Sequence, residues 1–172
     1  SQYPPSPISA QAQRSAQQMR EIGFSFLGQV LDDTQIAEIA SYYRNRPCYN
    51  LHYEGHIHGD GVARGVDDGA SAFHFGSYTK EDILEAPHLI NLFLRPDVLD
   101  IAESFLGARP MLFSINTYWS FPQNEPPSYG QEFHRDISHP RFCVLFVYLT
   151  DAMEKTGAHQ YIKKTQNILG FF

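Results

Sequence analysis

The spacing of apolar residues changes period at Pro110, and that change limits the folds open to this chain. Ahead of Pro110 the spacing is helical. Ile8, Ala12, Ala16 and Met19 fall close to one face of a helix predicted over 8–20. Asp32, Asp33 and Thr34 offer an N-cap to a second helix, where Ile36, Ile39, Ala40 and Tyr43 recur at i, i+3, i+4 and i+7. Pro47 ends it. Between the two, EIGFSFLGQV reads as a short strand between glycines. Thr79 and Asp82 resemble a capping box ahead of Ile83 and Leu84. Pro87 opens a short helix through Leu94. Pro96 opens another, with Val98, Leu99, Ala102, Phe105 and Leu106 on one face and Gly107 as its C-terminal cap.

After Pro110 the spacing alternates. Met111, Phe113, Ile115, Thr117 and Trp119 point one way and form the expected core face of a strand. Leu112, Ser114, Asn116 and Tyr118 point the other way, a half-polar face suited to lining a cavity. PQNEPPSYG is a turn-rich loop. FCVLFVYLT is apolar on both faces, so a strand buried on both sides is expected there. After a turn at Thr156 and Gly157, AHQYIKK begins a further strand. The whole reads as one domain over 1–172. It has a Pro-rich tail over 1–7, a helical part over 8–109 and antiparallel strands over 110–172. Residues 50–77 break every period and hold half of the chain's 12 glycines, so a long mobile loop, of the kind that forms lids, is expected.

His134 and Asp136 stand two residues apart just ahead of the apolar run. On an extended backbone that spacing places both side chains on one face. An imidazole and a carboxylate so placed can take adjacent positions around one metal ion. One further histidine completes the facial triad of non-haem iron oxygenases, which leaves positions open for a co-substrate and oxygen. H-x-D alone is common by chance, and an exposed His beside a turn-capping Asp is the bland alternative. The HRD triplet is not that of a protein kinase, because Ile137 follows it and Arg141 stands where Asn is required. A rival set, His52, Glu54, His56 and His58, alternates and would share one side of a strand able to bind zinc. Gly55, Gly59 and Gly61 argue against regular strand there.

Composition removes other classes. Thirteen basic against 19 acidic residues give a net charge of -6, which disfavours nucleic acid as a partner. Neither a nucleophile elbow nor a dinucleotide fingerprint is present. Cys48 and Cys143 make no disulfide scaffold, and Cys143 reads as a small buried hydrophobe. No apolar stretch is long enough to span a membrane, and a cytoplasmic location is the default expectation. Oligomeric state is left open.

The segment QEFHRDISHPRFCVLFVYLTDAMEKTGAHQYIKK resembles the phytanoyl-CoA dioxygenase-like family. The resembling features are a glutamine before H-x-D, an apolar strand ending in a Leu-Thr-Asp turn, and a Gly-containing turn leading to another strand. A "GF" strand, an Asp-capped helix, a Gly-rich loop and a helix ending in Leu-Gly extend the likeness over roughly 22–165. The resemblance implies a mainly β fold with flanking helices: a double-stranded β-helix, or jelly-roll barrel, that holds iron(II) and 2-oxoglutarate. It implies oxidative decarboxylation of 2-oxoglutarate to succinate, coupled by O2 to hydroxylation of a small organic substrate. By position, His134 and Asp136 match the family's first His ligand and its carboxylate. Gln131, Asn116, Tyr118 and Tyr148 match positions near the co-substrate pocket. Because Asp136 is present, the site resembles that of hydroxylating rather than halogenating relatives.

Two family features are not matched. The second His ligand and the Arg that pairs with the 2-oxoglutarate carboxylate lie well downstream of H-x-D. Beyond Pro140 the sequence holds one histidine, His159, at a position where the family places no ligand, and no arginine follows Arg141. Thr165-Gln166 stands where the family has Ser-His. The last barrel strands are therefore expected from residues outside this sequence, from a partner chain, or not at all in a catalytically dead truncation. The first is favoured, since an open half-barrel leaves unpaired edges and an exposed core. Two other functions stay in view: a catalytically incomplete jelly-roll binding module, and a metal enzyme built on His52–His58.

Overall fold

A computed structural model describes residues 8–50, 65–69, 75–121, 132–136, 141–154 and 157–165. Six helices and three short strands are assigned among them. They fall in two compact units that interleave along the chain.

The first unit comprises residues 1–32, 91–112 and 141–172. Its α1 (Ala10–Ile22) starts where Ser9 accepts the backbone N–H of Ala12, and stops at Gly23, which adopts φ 97°. Only glycine takes that left-handed backbone without a Cβ penalty. Ala12 and Ala16 are buried, and these small side chains let α1 pack against α6 (Pro96–Leu106). As the sequence predicts, Pro96 opens α6 and Gly107 closes it, donating its N–H to Glu103 at 2.8 Å. The last carbonyls of α6 have no partner within the helix. Arg20 donates to those of Ser104 and Phe105, and Arg141 to that of Leu106 at 3.0 Å. Two guanidinium groups thus neutralise the negative end of the helix dipole.

The second unit comprises residues 33–90 and 113–140. Here α2 (Asp33–Arg44) buries Ile39 and Tyr43, two of the four residues predicted for its inner face. A three-stranded antiparallel sheet has the order β1 (Tyr49–Asn50), β2 (Phe75–Ser77), β3 (Tyr118–Ser120). Its register pairs Tyr49 with Ser77 and Gly76 with Trp119. A helical turn, α3 (Val66–Gly69), lies between β1 and β2 in sequence. The N-cap half of the expected capping box is present: the Thr79 hydroxyl accepts the N–H of Asp82 at the start of α4 (Lys80–Glu85) and donates to the Asp82 carboxylate at 2.7 Å. The short helix after Pro87 is α5 (Leu89–Phe93), whose last three residues belong to the first unit. Tyr43 and Tyr78 are both buried with rings 4.4 Å apart. The Tyr78 hydroxyl donates to the Tyr43 carbonyl at 2.9 Å and accepts from the Trp119 indole at 2.6 Å. The Tyr43 hydroxyl meets Thr117 at 3.1 Å. This network ties α2 to β3.

Four expectations are corrected. The segment predicted as a strand over 21–30 begins inside α1, and residues 24–30 join no strand among the described residues. Glycine at 23 serves as a helix cap instead. The region 50–77 is not loop throughout, since Asn50 and Phe75–Ser77 are strand and 66–69 are helical. Along 111–120, only Tyr118–Ser120 is strand. Ile115, Thr117 and Trp119 do face inward, but Met111 and Phe113 are 81% and 72% exposed. Finally, 142–148 is not buried on both sides: Val144, Phe146 and Tyr148 are about half exposed and alternate with better-covered neighbours. Alternation sets which way a side chain points, but burial needs a second layer. No such layer covers these side chains among the described residues.

Candidate metal site

Residues 133–136 belong to no helix or strand, and their chain brings the His134 and Asp136 side chains together, as the spacing predicts. His134 Nε2 lies 3.5 Å from Asp136 Oδ1. Both side chains are about half exposed, at 48% and 54%, so solvent and small molecules reach the pair. On its other side the ring places Nδ1 2.8 Å from the backbone carbonyl of Glu132.

The pair suits one cation. Two donors held at right angles, each about 2.1 Å from an ion, lie roughly 3 Å apart. The observed 3.5 Å is within a small side-chain rotation of that. One imidazole and one carboxylate form the borderline donor set that suits iron(II). Among the described residues no group of three or more His, Cys, Asp or Glu side chains gathers to hold a metal. The structure therefore presents two donors, with the remaining coordination positions open to other groups.

The other predicted site residues are placed as follows. Asn116 and Tyr118 share the exposed face of the segment leading into β3, and the Tyr118 ring meets Phe75 edge-on at 5.4 Å. Tyr148 lies in the first unit, half exposed, where its hydroxyl accepts the backbone N–H of His159 at 2.8 Å. The His159 ring stacks at 4.8 Å on Phe146. Gln131 and the rival cluster His52, Glu54, His56 and His58 lie outside the described residues. Cys48 and Cys143 are free thiols whose pKa values burial pushes up, so neither offers a ready thiolate. Among the described residues no helix is long and apolar enough to cross a membrane.

The Glu132 carbonyl was not foreseen from the sequence. Every residue carries a carbonyl, so no residue type signals this partner. A family model described as phytanoyl-CoA dioxygenase matches residues 19–170. No curated protein and no solved structure matches the chain.

Proposed function

Because the chain belongs to the phytanoyl-CoA dioxygenase family, we propose that it works as an iron(II)- and 2-oxoglutarate-dependent oxygenase that hydroxylates a small organic molecule. Members of the family are oxygenases of that type. The observation that carries the reading is the convergence of the half-exposed His134 Nε2 and Asp136 Oδ1 to 3.5 Å within the matched region. In this reading those two atoms hold the iron. The bound metal would let O2 act as the oxidant: 2-oxoglutarate would give up two electrons as it loses carbon dioxide and becomes succinate, and the substrate C–H bond would give up two more as it becomes C–OH.

The chain's own residues do the positioning. Asp136 brings a negative charge that offsets part of the metal's own, and His134 brings a neutral donor. Asn116 and Tyr118 offer polar groups on an exposed face for orienting the co-substrate, and Gln131 and Tyr148 are assigned the same role by the family resemblance. A double-stranded β-helix is the proposed setting for the site. The test is succinate formation from 2-oxoglutarate by the full-length protein under air with iron(II). Activity in wild type that is lost in His134→Ala supports the reading. Absence of 2-oxoglutarate turnover with any organic acid, acyl thioester or amino acid offered as substrate would leave a binding module as the better account.

A further inference from the structure

We infer that the main chain at Glu132 sets the tautomer of His134 before any metal arrives, making the Glu132 carbonyl a positioning group for the site. A carbonyl oxygen has no proton to give. The 2.8 Å contact therefore requires that His134 Nδ1 carry the hydrogen and donate it. In the neutral ring this leaves the Nε2 lone pair free, and Nε2 is the atom that faces Asp136 Oδ1. The competing choice puts the hydrogen on Nε2, pointing at the carboxylate. At 3.5 Å that contact is longer than an ordinary N–H···O bond, whereas 2.8 Å is well inside the range. The shorter bond decides the tautomer. An unconstrained histidine in water prefers the opposite form, so the segment works against the default. Such a bond holds the ring's orientation and raises the basicity of the ligating nitrogen. Nothing about the Glu132 side chain enters, since only its carbonyl is used.

The inference takes its meaning from the proposed metal site, but it is tested without activity. Histidine ring nitrogens are observed by NMR in the metal-free protein, at a pH well above the ordinary imidazole range. His134 is assigned by difference from His134→Gln. The expected result is a protonated, pyrrole-type Nδ1 and a bare, pyridine-type Nε2. Glu132→Ala keeps the carbonyl and should leave both signals unchanged. Phe133→Gly loosens the peptide that presents the carbonyl, at an exposed position. It should mix the tautomers and weaken zinc(II) binding, followed on the Nε2 signal, on the order of 10-fold. A protonated Nε2 in the wild type overturns the inference even if zinc binds. So does a tautomer that changes in Glu132→Ala. If the tautomer is as stated but zinc leaves Nε2 unmoved, the inference stands and the metal-site reading fails.

Discussion

Replacing Tyr78 with Phe tests whether the buried network of the second unit holds the helix to the sheet. The substitution keeps the ring and its 4.4 Å contact with Tyr43, and deletes one hydroxyl. That hydroxyl makes two bonds, to the Tyr43 carbonyl at 2.9 Å and from the Trp119 indole at 2.6 Å. The two losses are unequal. The Tyr43 carbonyl also accepts the Arg46 N–H at 3.2 Å, so it keeps a partner and loses about 0.5–1 kcal/mol. The indole N–H is half buried and is left to find water, at a cost of about 1–2 kcal/mol. The sum is about 2 kcal/mol. With a urea slope of about 2 kcal/mol/M, the unfolding midpoint should fall by about 1 M. Trp119 is the chain's single tryptophan, so its fluorescence follows this unit directly. Native emission should also shift to the red as the indole becomes hydrated. A midpoint lowered by less than about 0.2 M, with unchanged emission, would refute the reasoning, because it would mean the hydroxyl is not bonded as described.

Three further outcomes are expected. Gly23→Ala should destabilise the first unit by at least about 1–2 kcal/mol from the left-handed backbone alone. Its added Cβ also meets the Tyr161 ring and hydroxyl, so Tyr161→Ala should recover part of the loss in a double-mutant melt. Thr79→Ala removes the N-cap of α4 and should cost about 1 kcal/mol in the same assay, with Thr79→Ser close to wild type. Burial pushes Tyr43 up to about 12, and Tyr78 is raised by the same cause. Below about pH 10 both folded and unfolded chains keep these protons and stability is unaffected. Above it the unfolded chain loses them first, so stability should fall until the folded tyrosines ionise. Urea midpoints followed through this range should decline, and less steeply in Tyr43→Phe; a flat profile would contradict the burial.

What the sequence revealed and what it hid follow from distance along the chain. The caps at Thr79 and Gly107 find their partners within four residues, so local residue types announce them. The meeting of His134 and Asp136 was equally readable, because two residues so close in sequence bring their side chains within reach. The Tyr43–Tyr78–Trp119 network was not, since its bonds join residues 35 and 41 apart and no periodicity links them. Alternation around Ile115, Thr117 and Trp119 was read correctly in phase, but it could not say that Met111, Phe113, Val144 and Phe146 would be exposed. Exposure depends on which layer lies opposite, and that is a property of the assembled chain. The family resemblance was carried by the residues around H-x-D, and the family match extends over nearly the whole sequence.

The central claim is that His134 and Asp136 hold iron(II). Anaerobic titration of the full-length protein with iron(II) and 2-oxoglutarate tests it directly, read as the weak visible charge-transfer band of the ternary complex together with bound iron. The wild type should show the band and stoichiometric iron. His134→Ala and Asp136→Ala should each lose both while keeping the native tryptophan emission. Iron and band that persist in those two variants, but vanish in His56→Ala, would contradict the account and move the metal to the His52–His58 cluster.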